Sequence, residues 1–414
     1  MVLNYVWIFF FACGFIVALG KLLLNGDMAI FNTLTEGMFT AAKDAVISVG
    51  LPLAGTMIFF LGIMQIAEKA GAIRALSRLL NPFLKRLFPE IPDSHPAMGE
   101  MVMNFSANML GLDNAATPFG LKAMQSLETL NPQKGTASNA QIMFLVMHTS
   151  GLTLIPLSLI ALRLSAKIPS LEPASIFVPC VLATVMATLS SIIIVGLKQK
   201  IKFDGVLLAW IGGLLTLVIA MLLLIQQLNP EAKQHFSMIS GNLILLLLVT
   251  SIIIAGAIKK VNVFDSFIEG AKEGFPVVLK ILPYLVAMLV AIRVFRDSGS
   301  LDAVVQGMKW LIAQTGMNTD FAEALPVAIM KPFSGSGARG LLVDIYNNPN
   351  LGPDSFVGKL ASIFQGSADT TFYIIALYFG SVQIRNIRYA VWAGLLADML
   401  GVISAIIIGY IFFH

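Results

Sequence analysis

Two stretches of this chain gather polar groups of the kind that hold a small molecule. Asn104-Phe105-Ser106-Ala107-Asn108 runs on through Gly111, Asp113, Asn114 and Thr117, supplying neutral amides, two hydroxyls and a carboxylate. Pro332-Phe333-Ser334-Gly335-Ser336-Gly337 runs on to Arg339 and Gly340, supplying hydroxyls, bare backbone and one guanidinium. Each precedes a second polar patch, His148-Thr149-Ser150-Gly151-Leu152-Thr153 and Gln365-Gly366-Ser367-Ala368-Asp369-Thr370. Superposing Phe105-Ser106 on Phe333-Ser334, and Ser150 and Thr153 on Ser367 and Thr370, matches both pairs in the same order. The expected substrate-binding groups are Asn104, Ser106, Asn108, Asn114, Ser150, Thr153, Ser334, Ser336, Arg339, Ser367 and Thr370. Arg339 can clamp an anionic group through two parallel hydrogen bonds, which a Lys cannot do; an internal Arg339–Asp369 ion pair is the competing use of the same residue. Asp113, His148 and Asp369 are the ion-coupling candidates, with the coupling ion, H+ or Na+, left open. Ser150 with Thr153, and Ser367 with Thr370, are three apart and are expected to share a helix face.

The segments around these patches are apolar. Of 414 residues, 57% are hydrophobic and 12% charged, about half the roughly 25% charged content of a soluble domain. Runs such as 2–20, 46–66, 176–197, 206–225 and 243–258 are long enough to cross hydrocarbon as helices. The first is expected to be an uncleaved helix, since it lacks a basic start and a small-residue cleavage site. Nine spans follow, near 3–24, 46–66, 141–163, 175–197, 205–226, 240–258, 279–295, 357–381 and 388–412, with re-entrant hairpins at 98–128 and 323–345. Segments 27–44, 68–88 and 262–277 carry charges at helical spacing and are expected to lie along the interface. A charge at bilayer depth costs at least about 2.5–3.5 kcal/mol, so ionisable residues beside the polar patches are functional candidates.

The chain divides into a first helix at 1–26, a repeat at 27–204, a connecting two-helix hairpin at 205–261 and a second repeat at 262–414. Three crossings per repeat and two in the connector invert the second repeat relative to the first. Lys69, Arg74, Arg78, Lys85 and Arg86, then Lys198, Lys200 and Lys202, then Lys259 and Lys260, then Arg385 and Arg388 all fall on one side, the cytoplasmic one by the positive-inside rule. Arg163, Lys167, Arg293 and Arg296 run against it. Paired, interrupted membrane segments in corresponding halves point to a transporter's substrate site.

Several classes are disfavoured. The net charge of +4 is spread along the chain, so no nucleic-acid partner is expected. The two cysteines, Cys13 and Cys180, lie in apolar runs and suggest neither disulfide framework nor metal site. No His-Glu-x-x-His or Gly-x-Ser-x-Gly is present, so the expectation is no enzyme and no catalytic residue, cofactor or metal. The expected partners are a small-molecule substrate and membrane lipid, with a homo-oligomer left open. A membrane scaffold or assembly factor without transport is the alternative, ahead of an intramembrane enzyme, for which Ser334 or Ser336 with His148 would be the only catalytic pair.

The stretch from Asn104 to Gly120 resembles the signature of spore maturation protein A. The stretch from Pro332 to Gly340, with Gly352-Pro353-Asp354-Ser355-Phe356 and Gln365 to Tyr373, resembles spore maturation protein B. The chain resembles a fusion of the two, 27–204 being A-like and 262–414 B-like. That family carries the Gate, or nucleoside-recognition, domain, also seen in concentrative nucleoside transporters and the ferrous-iron transporter B. The resemblance implies an all-α polytopic fold like that of the concentrative nucleoside transporters, with an inverted repeat, two re-entrant hairpins and broken transmembrane helices. It also implies an inner-membrane transporter, though the domain's title does not make nucleosides the substrate. The expectation from the residues and the resemblance together is a secondary transporter in the bacterial plasma membrane, moving a small polar, anionic metabolite (nucleoside-like or carboxylate) by alternating access.

Overall fold

The structure, a computed structural model, describes residues 2–92, 95–110 and 113–414. The chain starts with α1 (Val2–Asn25) and α2 (Ile30–Asp44), which passes through a π turn (Ala45–Gly50) into α3 (Leu51–Lys69). α4 (Ala72–Leu87) precedes a helical hairpin of α5 (Pro96–Met109) and α6 (Asp113–Leu130). α7 (Asn139–Thr149) and α8 (Leu157–Leu164) are two short helices separated by a polar break, followed by α9 (Phe177–Gln199), α10 (Gly205–Gln226) and α11 (Pro230–Ile258). Then come α12 (Val263–Ala271), α13 (Gly274–Asp297) and α14 (Ser300–Ala313), and a second hairpin of α15 (Leu325–Met330) and α16 (Gly335–Asn347). A second pair of short helices around a polar break, α17 (Phe356–Gly366) and α18 (Thr371–Ser381), leads to α19 (Ala390–Phe413).

Among the described residues no strand forms, and six helical stretches are long and apolar enough to cross a membrane: Trp7–Asn25, Ile30–Lys69, Pro173–Gln199, Gly205–Gln226, Ile239–Ile258 and Ala390–Phe413. The protein is an all-α polytopic membrane protein. The expected spans at 141–163 and 357–381 are each two short helices around a polar break, as the sequence suggests.

Three of the nine expected spans, 141–163, 279–295 and 357–381, are not among these six, and the expected segment 262–277 is divided between α12 and the start of α13. Two further elements differ from expectation. Segment 27–44 is not a separate interfacial helix; it continues into the span through the π turn. Pro52 supplies the reason. In a regular helix its ring would press on the carbonyl of Ser48, and the wider π turn at 45–50 relieves that crowding without ending the helix. The resulting 40 residues extend about 60 Å, twice the roughly 30 Å hydrocarbon core, so only part of this helix lies in lipid. The second difference is α14, framed by Gly299 at φ 87° and Gly316 at φ 75°, which no apolar run announces.

The chain forms two compact units: Met1–Phe59, Leu159–Pro173 and Ala271–Gln365 in the first, and Phe60–Ser158, Ala174–Gly270 and Gly366–His414 in the second. In the first unit α13 is the centre, touched by α1, α2, α14 and α16. Ala18, Ile30, Leu34 and Val294 form an apolar cluster there. Gly340 lets α16 approach α13, since a Cβ would fall 3.1 Å from that of Met288. All four basic residues that run against the sidedness pattern lie in this unit and are ion-paired: Arg163 with Asp354, Lys167 with Asp44, Arg293 with Asp297 and Arg296 with Asp344. Each is therefore held where it is by a partner within the fold.

In the second unit α19 packs along α9, where a Cβ at Gly401 would fall 3.1 Å from that of Ala187, the kind of small-residue contact that lets two membrane helices approach closely, while Gly394 makes room for Thr371 of α18. α10 is apolar on every side but buries only Leu207, Ile211, Val218 and Ile225; its exposed Leu208, Leu217, Ile219 and Leu223 suit lipid. α4 buries Ile73, Leu80, Phe83, Leu84 and Leu87 and exposes Arg74, Arg78 and Arg86, the amphipathic pattern the sequence shows for 68–88.

Candidate functional site

The first polar stretch lies at the end of α5. Asn104 is fully buried, and its amide nitrogen donates to the carbonyl of Ala116 on α6 at 2.6 Å. That bond turns Oδ1 towards α7, where it lies 2.9 Å from Nδ1 of His148. One turn further along α5, the Asn108 amide nitrogen is also 2.9 Å from the same Nδ1. On the other edge of the imidazole, Nε2 is 3.3 Å from the hydroxyl of Tyr378 on α18 and 3.9 Å from a carboxylate oxygen of Asp369. His148 is 3% exposed, whereas the Asp369 side chain is 46% exposed.

The breaks hold this cluster. α7 starts with a capping box, Ser138 and Gln141 exchanging side-chain and backbone bonds, and its ladder ends at Thr149. Gly151, at φ 42°, takes a left-handed conformation that most residues resist, and Pro156 cannot rejoin the helix. The end of α7 is tied across to the second break, the Asp369 N–H donating to the Thr149 carbonyl at 2.6 Å. Leu154 in the first break donates to the Met109 carbonyl of α5 at 2.8 Å. α18 then starts at Thr371, whose hydroxyl donates to Asp398 of α19 at 2.6 Å. Gly120 on α6 makes room for Tyr378, since a Cβ there would fall 2.0 Å from the phenol oxygen.

The imidazole is satisfied in more than one protonation state. A bare Nδ1 accepts from Asn108, and a protonated one donates to Asn104. A bare Nε2 accepts from Tyr378, and a protonated one donates to the phenol oxygen or faces the Asp369 carboxylate. A buried donor or acceptor left without a partner costs about 1–3 kcal/mol; here each ring nitrogen keeps a partner as the proton enters, leaves or changes nitrogens, and the cost passes to the amide released, Asn104 when Nδ1 is bare and Asn108 when it is protonated.

The other expected residues are distributed as follows. Ser106 is buried and turned to α4, 3.1 Å from the Ser77 hydroxyl. Ser150 donates to the Met147 carbonyl and to Ser191 of α9 at 3.0 Å. Thr153 donates to the Gly151 carbonyl at 3.0 Å within the break. Ser367 and Thr370 are buried in the second break. A helix face shared by Ser150 and Thr153, or by Ser367 and Thr370, does not form, because residues 151–156 and 367–370 are not helical. The side chains of Asp113 and Asn114, at the start of α6, lie outside the described residues.

Ser334, Ser336 and Arg339 belong to the first unit. Ser334 caps α16, accepting from the Gly337 N–H at 3.0 Å, and lies 3.4 Å from the Ser336 hydroxyl. Arg339 sits half-buried one turn into the same helix. Gln365, at the end of α17, donates to the Gly335 carbonyl at 3.5 Å, and its own buried oxygen has no hydrogen-bond partner among the described residues. Sequence reasoning also missed Tyr378, Phe144 and Asp398. Phe144 is four residues before His148 on the same α7 face and stacks on Tyr378 with centroids 5.8 Å apart, so its spacing was a usable signal. Asp398 is buried on the ninth residue of α19, within the helix, where it accepts from the Thr371 hydroxyl.

A small cavity of about 50 Å³ lies beside the first break, lined by Phe105, Asn108, Met109, Met147, Gly151 and Thr188 among others. It has room for a water molecule, not for a metabolite.

Comparison with known proteins gives a consistent answer. The Gate family model, described as nucleoside recognition, matches residues 51–166 and 278–385. Spore maturation protein B of Bacillus subtilis (strain 168) is 46% identical over 162 residues, which is 39% of this chain and 88% of that protein. Spore maturation protein A of the same organism is 39% identical over 191 residues, 46% of this chain and 92% of that protein. No solved structure matches. The two matched Gate segments contain both hairpins and both broken helices, and the chain belongs to the spore maturation protein A/B family of Gate-domain membrane proteins.

Proposed function

We propose that this protein is a proton-coupled secondary transporter of a small polar, anionic metabolite in the bacterial inner membrane. In this reading the segments 27–204 and 262–414 are inverted Gate repeats around the connector at 205–261, and substrate is exchanged by alternating access. The observation that carries the proposal is the His148 cluster. A buried imidazole, hydrogen-bonded in each of its protonation states, stands beside a carboxylate that is 46% exposed. Such an arrangement passes a proton between solvent and a buried site, and it offers Na+ a single carboxylate where several oxygen ligands are needed. Arg339 with the capped start of α16 supplies the anion site, and the unpartnered Gln365 oxygen calls for an N–H or O–H on the same ligand. Asn104 and Asn108, held by the imidazole, then respond to its protonation. Ser106 and Ser150 serve helix fastening in this account.

The name of the Gate family model makes nucleosides and their phosphorylated forms the first candidates to assay, with hydroxy- and amino-carboxylates next. A screen of purified protein by thermal shift tests this. A true ligand at a hundred times its dissociation constant stabilises by about 2.7 kcal/mol, and Arg339→Lys should abolish the shift while leaving the unliganded melt unchanged. No ligand in any class, with no flux in vesicles, refutes transport. The second reading, a scaffold, is favoured by one fact: two separately named maturation proteins are both matched by this one chain.

A further inference from the structure

Away from the His148 cluster, the second unit holds a cavity of about 600 Å³ with basic walls. Its charged lining comprises Lys85 and Arg86 at the end of α4, Lys200 and Lys202 between α9 and α10, and the two acids Glu90 and Asp204. Both acids are engaged. Asp204 accepts from the Leu207 N–H at 3.0 Å, capping α10, and pairs with Arg86 at 2.6 Å. Glu90 accepts from the Asn139 amide at 3.3 Å. Lys200 and Lys202 make no ion pair among the described residues, and both are exposed. The cavity is therefore left with net positive charge and two exposed cationic side chains in its lining. Asn139 and Ala140, the first two residues of α7, also line it and bring the positive end of that helix to the same wall.

Position identifies the source of the anion. The apolar span of α9 ends at Gln199 and that of α10 begins at Gly205, so the cavity opens where two spans meet water, at the depth of phospholipid headgroups. Trp210, just over one turn into α10, packs on Phe83 of α4 with centroids 5.5 Å apart, and aromatic residues of this kind favour the same depth. Arg74 and Arg78, earlier on α4, are also exposed. Basic pockets at the ends of membrane helices hold the phosphates of anionic lipids.

We infer that this cavity is a binding site for the phosphate of an anionic phospholipid headgroup, with Lys200 and Lys202 as its principal contacts. The rest of the basic wall serves as a secondary attraction, because Arg86 is already paired with Asp204.

The test uses the full chain in phosphatidylcholine nanodiscs with and without phosphatidylglycerol. The melting temperature should rise with phosphatidylglycerol, and the rise should shrink in high salt. A fluorescent phosphatidylglycerol analogue should bind about fivefold more weakly for each basic residue removed. Lys200→Gln combined with Lys202→Gln should therefore weaken it by roughly 25-fold, whereas Lys272→Gln, an exposed site in the other unit, should not. The double variant must melt like wild type in pure phosphatidylcholine; if it does not, the single variants Lys200→Gln and Lys202→Gln replace it, each with an expected loss of about fivefold. Equal behaviour in both lipids, or unaltered binding by the variants, overturns the site. A melting rise produced by inorganic phosphate alone at millimolar concentration overturns the lipid assignment in favour of a soluble anion.

Discussion

Replacing Arg163 by Met should destabilise the first unit by about 3 kcal/mol, at the lower end of the range for breaking a buried ion pair. Arg163 is fully buried. Its guanidinium donates to the Pro353 carbonyl at 2.6 Å, Ser170 at 3.0 Å, the Glu172 carbonyl at 3.2 Å and Asp354 at 2.7 Å. Met fills similar volume but leaves those acceptors facing an apolar side chain. The lower end applies because Asp354 is 33% exposed and keeps bonds from Ser170 and the Leu171 N–H at 2.5 and 2.7 Å. At roughly 2 °C per kcal/mol, taking the low end for a chain this long, the melting temperature in detergent should fall by on the order of 5 °C. Arg163→Lys keeps the charge but not the planar fork and should recover only part of the loss. Asp354→Asn, measured alone and with Arg163→Met, completes a double-mutant cycle with an expected coupling near 2 kcal/mol. A variant melting within a degree of wild type, or strictly additive single changes, would show that this network does not anchor the loop ahead of α17.

Gly120→Ala should cost about 1–3 kcal/mol through overpacking, because its Cβ would fall 2.0 Å from the Tyr378 oxygen; Tyr378→Phe in the same background should relieve part of it, read as melting temperature. Asp204 gives a pH signature: the Leu207 N–H, with help from the Arg86 pair, holds its carboxyl below the ordinary carboxylate range. Its contribution is therefore full above the unfolded value near 4 and is lost as pH falls through the lower folded value. The melting difference between wild type and Asp204→Asn, which keeps a capping oxygen, should be constant above pH 5 and vanish in strong acid; a difference growing towards acid contradicts the assignment.

Much of the architecture is legible in the residues, for a physical reason. A bilayer demands about 20 apolar residues per crossing, so spans, connectors and the polar interruptions within 141–163 and 357–381 stand out in a single sequence. The helical hairpins at 98–128 and 323–345 are legible for the same reason. The partners of the polar residues are not. Nothing local to Asn104 says that its amide is held by Ala116 and its oxygen by His148, and Tyr378 lies 230 residues from that imidazole. The shared helix faces assigned to Ser150 and Thr153 fail because spacing alone cannot tell a helix from the break that ends it. α2 continues into α3 because one π turn accommodates Pro52, which a hydropathy pattern does not register. α14 escapes because its exposed Val304, Trp310 and Leu311 interrupt any clean one-sided stripe.

The central claim is ion-driven transport through the His148 cluster, and flux in proteoliposomes tests it most directly. With a substrate identified by thermal shift, an imposed inward proton gradient should drive accumulation, and an equal Na+ gradient at constant pH should not. Asp369→Asn should abolish accumulation while sparing exchange at equilibrium. Flux that ignores both gradients, or that follows Na+ alone, contradicts proton coupling at His148 and Asp369.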